Sequence, residues 1–253
     1  MSLLFESINT LVTGLPDHTP SIQLAVQKLR VMLDDNDQNL KYLSLQALTK
    51  ILTNHPKYVQ PLREKIISCL DDKDESIRRR ALDLIISMVS RKNLPDVVHK
   101  LTEHLIGSDS LPFREDLLTK IVQICSKENY QLVADFQWYI TVLVKLTGIE
   151  GRTKGKVLGD QLLDVTIRVK TIRGYSTSQM ALLLTKTENW LDVSEVLYAA
   201  SWICGEFNEY LEDKLSVLRS LFSPMALQLP HHIQAVFIQV SNCASFCRAI
   251  HFK

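Results

Sequence analysis

Several side chains in this chain are of types that bind metals or catalyse reactions, so the first test is whether their spacing suits that chemistry. Asp35, Asp37 and Asn39 stand at the first, third and fifth positions of a calcium loop. Such a loop also needs glycine at its sixth position and a bidentate glutamate at its twelfth, where this chain has Leu40 and Gln46. Asp72, Asp74 and Ser76 repeat the pattern and fail in the same way, with Ile77 and Asp83 at those two positions. The segment Gly151-x-x-x-Gly155-Lys156 resembles a phosphate-binding loop, but its glycines are one residue too close and Val157 replaces the required hydroxyl residue. Cys243, Cys247 and His251, with His231 or His232, form no standard zinc ligand set, because a second pair at zinc spacing is missing. His99 and His104 are five residues apart and do not share a helix face. The residue pattern therefore points to no catalytic site, no metal site and no cofactor.

Two basic clusters remain. Lys73 with Arg78, Arg79 and Arg80 reads as a solvated helix face, and Arg152, Lys154 and Lys156 as a solvated loop. The alternative for both is contact with anionic lipid headgroups or an acidic partner, where each basic residue near a charged membrane contributes about 1 kcal/mol.

Composition narrows the function classes. Of 253 residues, 46% are hydrophobic, and 29 basic residues nearly balance 28 acidic ones for a net charge of +1. That is a globular chain with a large core, without the broad positive field of a nucleic-acid binder. The opening MSLLFESINTLVTGLPDH has no basic stretch before its apolar residues, so it does not resemble a secretory signal, and no run reaches the roughly 18 apolar residues of a spanning helix. Five scattered cysteines make no disulfide framework and favour a cytosolic chain with reduced, buried thiols.

The acidic stretches acquire a meaning once the elements around them are read. "LDDNDQNLKYLSLQAL" from Leu33 and "LDDKDESIRRRALDLI" from Leu70 are one phrase written twice. After the second acidic turn, Ile77, Ala81, Leu84, Ile85, Met88 and Val89 form an amphipathic helical stripe. Leu40, Ser44, Ala47, Leu48, Ile51 and Leu52 occupy the same template in the first copy. A third copy gives Phe113, Leu117, Lys120, Ile121, Ile124 and Cys125, with Lys120 the polar exception. Another apolar-periodic segment precedes each stripe, at residues 22–33, 59–70 and 97–106, with prolines at or near helix starts. Two helices per unit of about 37 residues predict an all-α, right-handed alpha-solenoid of HEAT/armadillo-like helical repeats. Asp71, Asp72 and Asp74 then serve as caps of the following helix, and Ala81 as a point of close helix approach. Beyond residue 130 the helical pattern continues, broken by an expected loop at 147–159 and a short break at 187–190.

These stretches resemble a known family. "DQNLKYLSLQALTKILTNHPKYVQ", "CLDDKDESIRRRALDLIISMVSRKNL", "REDLLTKIVQICS" and "EVLYAASWICGEF" are similar to the trunk of the large adaptins, most closely their delta class in the third adaptor-protein complex. Trp202, Gly205, Glu206 and Phe207 match the W-x-x-G-E-aromatic signature of those trunks. The resemblance covers most of residues 1–239, expected to be a partial helical-repeat domain, and weakens over a divergent tail at 240–253. It implies a non-enzymatic coat subunit that pairs with small (sigma), medium (mu) and second large (beta) chains. It also implies cargo selection on Golgi and endosomal membranes, with an Arf-type GTPase and anionic lipid engaged through the complex. Delta chains are longer than this one, which implies an internal slice of the trunk. Without the resemblance, a generic HEAT-repeat scaffold or transport receptor holding peptides on its concave face fits the same pattern. For the end of the chain, the missing next repeat predicts exposure of Leu218, Leu221, Phe222, Val236 and Phe237 and fraying beyond Pro224.

Overall fold

A computed structural model describes residues 2–14 and 17–242. The described residues are helical, with no strand among them. The chain divides into two compact units, Met1–Glu128 and Asn129–Lys253.

The first unit contains α1 (Ser2–Gly14), α2 (Thr19–Leu33), α3 (Gln38–Asn54), α4 (Pro56–Val59), α5 (Arg63–Ser68), α6 (Glu75–Ser87), α7 (Leu94–Gly107) and most of α8 (Leu111–Tyr130). Helix α3 packs on α2 and α6, and α6 on α5. This is the nearest-neighbour stacking of a solenoid, in which each helix pair is completed by the next. All six stripe residues of the first copy are buried, and so are five of six in each later copy, with Val89 half-buried. Lys120, the polar exception, lies at the edge with its Nζ 3.4 Å from Asp83 Oδ1. Pro61 has no amide to donate, and the segment expected as one helix over 59–70 is divided into α4, α5 and single 3-10 turns.

Of the three aspartates expected to cap, Asp74 does so, Asp72 holds its own turn, and Asp71 instead faces His104 Nδ1. Asp37 Oδ1 accepts from the Asn39 amide at 2.9 Å, and Asp74 Oδ1 from the Ser76 amide at 2.8 Å, each capping a helix N-terminus. One turn earlier, Asp35 and Asp72 accept from the amides of Asp37 and Asp74, both at 3.0 Å. The two turns therefore share the same pair of aspartate-to-amide hydrogen bonds.

The second unit contains α9 (Phe136–Arg168), α10 (Arg173–Lys186), α11 (Ser194–Glu206), α12 (Lys214–Leu221) and α13 (His231–Ser241). Helix α11 is central, packing on α9, α10 and α13. Asp135 and Asp213 cap α9 and α12 through the amides of Gln137 (2.8 Å) and Ser216 (3.0 Å). At the division between the units, Glu128, Asn129 and Tyr130 take left-handed φ values of 50°, 55° and 66°. Such conformations cost non-glycine residues free energy and stop a helix.

The expected loop at 147–159 is a correction. It lies inside α9, which departs from helical geometry only at Glu150 and Lys154. Gly151, Gly155 and Gly159 recur every four residues and line one face, where α11 and the turn before it press close. A Cβ on Gly151 would lie 2.9 Å from Val193 Cγ1 and 3.0 Å from the Asp192 carbonyl oxygen, and one on Gly159 would lie 3.1 Å from the Glu195 carbonyl oxygen. These glycines permit contact between backbones, a tertiary reason that local sequence does not carry.

Candidate binding surfaces

The Trp202–Phe207 signature is built around a close approach. Gly205 on α11 faces Val240 on α13, and a Cβ at Gly205 would stand 2.7 Å from Val240 Cγ2. Only glycine lets the two helices come this near. Trp202 and Phe207 meet edge-on, with centroids 6.3 Å apart at 83°, and the Arg173 guanidinium lies 4.6 Å from the Phe207 ring centroid. Phe207 is buried, Trp202 half-buried and Glu206 exposed. The motif joins α11 to its neighbours, and within it Glu206 points to solvent. Val240, placed at the start of the divergent tail by the sequence, is thus part of the packed α13. Residues 243–253, with Cys243, Cys247 and His251, lie outside the described residues.

Of the basic triplet, read from the sequence as a solvated helix face, Arg78 and Arg80 are engaged by neighbours and Arg79 is exposed. Arg78 Nη1 donates to the carbonyls of Asp72 (2.8 Å) and Lys73 (3.1 Å), and its guanidinium lies 5.0 Å from the Phe113 centroid. Arg80 donates to the Tyr42 hydroxyl at 2.7 Å and lies over that ring at 5.1 Å. Arg79 pairs with Glu75 along the helix at 2.6 Å and, like Lys73, is exposed. The stack rests on the buried Leu40, Ile77, Ala81, Leu84 and Ile85 beneath these groups.

In the second cluster, Arg152 and Lys156 are exposed one turn apart on α9, and Lys154 is half-buried at a kink. Arg152 Nη1 is 3.9 Å from Asp192 Oδ1. The phosphate-loop likeness of Gly151–Lys156 fails structurally, because Gly151 and Gly155 face the packed turn before α11 and α11 itself instead of an open cradle.

Other reactive side chains are protected or dispersed. Among the described residues no three His, Cys, Asp or Glu side chains group as metal ligands, and no helix is long and apolar enough to cross a membrane. Burial pushes the Cys69 thiol up to about 11, and Cys125 and Cys204 to about 12. His104 Nδ1 lies 2.9 Å from Asp71 Oδ1, and His232 Nε2 lies 3.0 Å from Glu195 Oε1; both pairs bridge separate helical elements.

Two surface grooves in the second unit were not foreseen from sequence. An apolar one of about 380 Å³ is lined by Phe222, Leu227, Phe237 and Ile238. Phe222 is 67% exposed there, but Leu218, Leu221, Val236 and Phe237, also expected to be uncovered, are buried. They lie between α12 and α13, which pack on each other. A second groove of about 310 Å³ lies where α10 meets the turn before α12, between Leu182 and Tyr210.

The sequence model described as "Adaptin N terminal region" matches residues 1–247. The AP-3 complex subunit delta-1 of Bos taurus is 49% identical over 252 residues, covering 94% of this chain and 21% of that protein. The AP-3 complex subunit delta of Dictyostelium discoideum is 45% identical over 243 residues, again covering 94% of this chain and 21% of the relative. The chain thus spans about a fifth of the length of these curated relatives. Its fold matches a chain in a homology model of the full-length AP-3 complex in an intermediate open conformation, with a TM-score of 0.71 and 25% identity, over 94% of this chain and 46% of that one. With a family match across nearly all its residues and the Trp202–Phe207 signature built into its packing, the chain belongs to the adaptin family and is similar to its AP-3 delta members.

Proposed function

We propose that this chain acts as a stretch of scaffold trunk in an AP-3-type adaptor coat, holding partner chains without catalysing a reaction. The observation that carries this reading is the 49% identity over 94% of the chain to an AP-3 delta-1 subunit, and the fold match over 94% of the chain to one chain of a homology model of the AP-3 complex agrees with it. The partners on this reading are small (sigma), medium (mu) and second large (beta) adaptor chains. The work is selection of membrane cargo for vesicles bound from Golgi and endosomal membranes to lysosomes and related organelles. An Arf-type GTPase and anionic lipid would act through the assembled complex. Stacked helices suit this role because within each unit the outer helix faces stay open to partners while the inner faces are buried between neighbours. The test is affinity purification of the tagged chain from cells, followed by mass spectrometry. Recovery of sigma, mu and beta chains together supports the reading, and recovery of none of them removes it.

The reading of the basic residues as contacts for an anionic surface now rests on the exposed Lys73, Arg79, Arg152 and Lys156. Liposome flotation tests it. Salt-sensitive binding to anionic vesicles that is lost in Arg152→Glu/Lys156→Glu supports it, and equal binding by parent and variant removes it.

A further inference from the structure

The groove beside α10 combines an apolar floor with an acidic rim. Leu211 and Val217 are buried at its base, while Leu182 and Tyr210 stand above them at 42% and 43% exposure. Its volume of about 310 Å³ is at the small end of the ligand-pocket range, room for side chains rather than for the face of a helix. Glu212 and Asp213 line the rim, and no basic residue does. Asp213 is engaged in capping α12 through the Ser216 amide. Lys214, the nearest cation in sequence, donates instead to Asn208 Oδ1 at 3.2 Å. Glu212 is exposed and has no ion-pair or hydrogen-bond partner among the described residues. The hydroxyls along the α10 wall are satisfied locally, Ser178 by the Gly174 carbonyl and Thr185 by that of Ala181. The groove therefore offers an apolar slot, an aromatic edge and one uncompensated negative charge.

We propose that this groove docks a short extended peptide segment of a partner protein, one that presents an aliphatic side chain followed closely by Lys or Arg. The aliphatic group fills the slot between Leu182 and Tyr210, covering apolar surface that now faces water. The basic group meets Glu212 at the rim, where charge complementarity sets orientation and selects against acidic segments. A tyrosine at the edge of a small apolar slot is also a frequent anchor in protein contacts.

The experiment uses the full chain and a fluorescein-labelled peptide, Gly-Ser-Gly-Leu-Leu-Lys-Arg-Gly-Ser, followed by fluorescence anisotropy at low and high salt. Saturable binding is expected, weakened by salt. Replacing Lys-Arg in the peptide by Glu-Glu should abolish it, a change that leaves the protein untouched. Glu212→Lys should weaken binding roughly fivefold or more, and Leu182→Asp at least about tenfold. Both positions are exposed, and circular dichroism would establish that the variants stay folded. Absence of saturable binding overturns the proposal, as does binding that is indifferent to peptide charge or unchanged in both variants.

Discussion

Lys41 Nζ lies 2.8 Å from Asp72 Oδ2, an ion pair that reaches from one repeat into the acidic turn of the next. The Asp72 side chain is only 9% exposed, and its other oxygen accepts from the Asp74 amide at 3.0 Å. One carboxylate thus shapes its own turn and fastens the preceding repeat. Asp72→Ala should cost about 1.5–3 kcal/mol, the range for a hydrogen bond to a charged group. The pair formed by Lys65 and the more exposed Asp34 is the control, and Asp34→Ala should stay within about 1 kcal/mol. Urea denaturation of the two variants checks the difference.

The same pair sets a pH dependence. Burial raises the Asp72 pKa, but the hydrogen bonds from Lys41 and the Asp74 amide outweigh it and hold the carboxyl below its usual 3.8. The bond to Asp72 lifts the Lys41 ammonium above its usual 10.5, against its own desolvation. A depressed carboxyl contributes stability above its unfolded pKa and loses it as pH falls through the folded value. A raised ammonium contributes below its unfolded pKa and loses that as pH rises through the folded value. The stability difference between parent and Asp72→Asn should therefore be constant near neutrality and shrink at both acid and alkaline extremes. Urea titrations across pH measure it, and a difference that varied between pH 6 and 8 would contradict it.

Gly205→Ala should destabilise the chain by about 1–3 kcal/mol, the usual cost of overpacking, because its new methyl would collide with Val240. Val240→Ala on the same background should restore part of the loss, since the two changes act on one contact. Gly148, exposed and with nothing within 4 Å of a built Cβ, is the opposite case. Gly148→Ala should stabilise by roughly 0.5–1 kcal/mol through helix propensity. Thermal unfolding of the three variants orders them.

Ala81 is fully buried at the stacked face, and Arg79 is exposed two residues earlier. Ala81→Leu should cost roughly 1–3 kcal/mol, and Arg79→Ala no more than about 0.5. Arg80→Ala should cost more than Arg79→Ala, because it removes both the hydrogen bond and the ring contact with Tyr42. Equal losses for the two arginines, measured as urea midpoints, would show that the Tyr42 contacts contribute nothing.

Cys69, Cys125 and Cys204 should resist alkylation at pH 8 in the folded chain and react once it is unfolded. Burial keeps their thiols protonated well above that pH. Iodoacetamide labelling followed by peptide mass mapping reads each site separately.

The repeated phrase was legible in the sequence because its determinants are local. An aspartate two residues before a helix amide caps it wherever the helix begins, and an apolar stripe of helical period must be buried against something. Asp37, Asp74 and the stripe from Ile77 to Met88 needed no knowledge of partners. Other assignments depended on elements distant in sequence and became readable only in the folded chain. Gly151, Gly155 and Gly159 carry the local signature of a loop, yet they form a helix face because α11 approaches too closely for a side chain. Arg78 and Arg80 are a basic run by themselves, and Phe113 and Tyr42, from the repeats on either side, turn them into packing groups. The groove at Leu182 and Glu212 arises where α10 meets the turn before α12, a proximity no residue spacing encodes. Local pattern was enough for the repeated helices of the first unit and their buried stripes, but not for the helix through 147–159 or the division of 59–70; packing settled which glycines are contacts, which charges are already paired, and where open surface remains. The physical reason is range: capping and periodicity act within a turn or two of helix, whereas steric fit and ion pairing act between residues that only folding brings together.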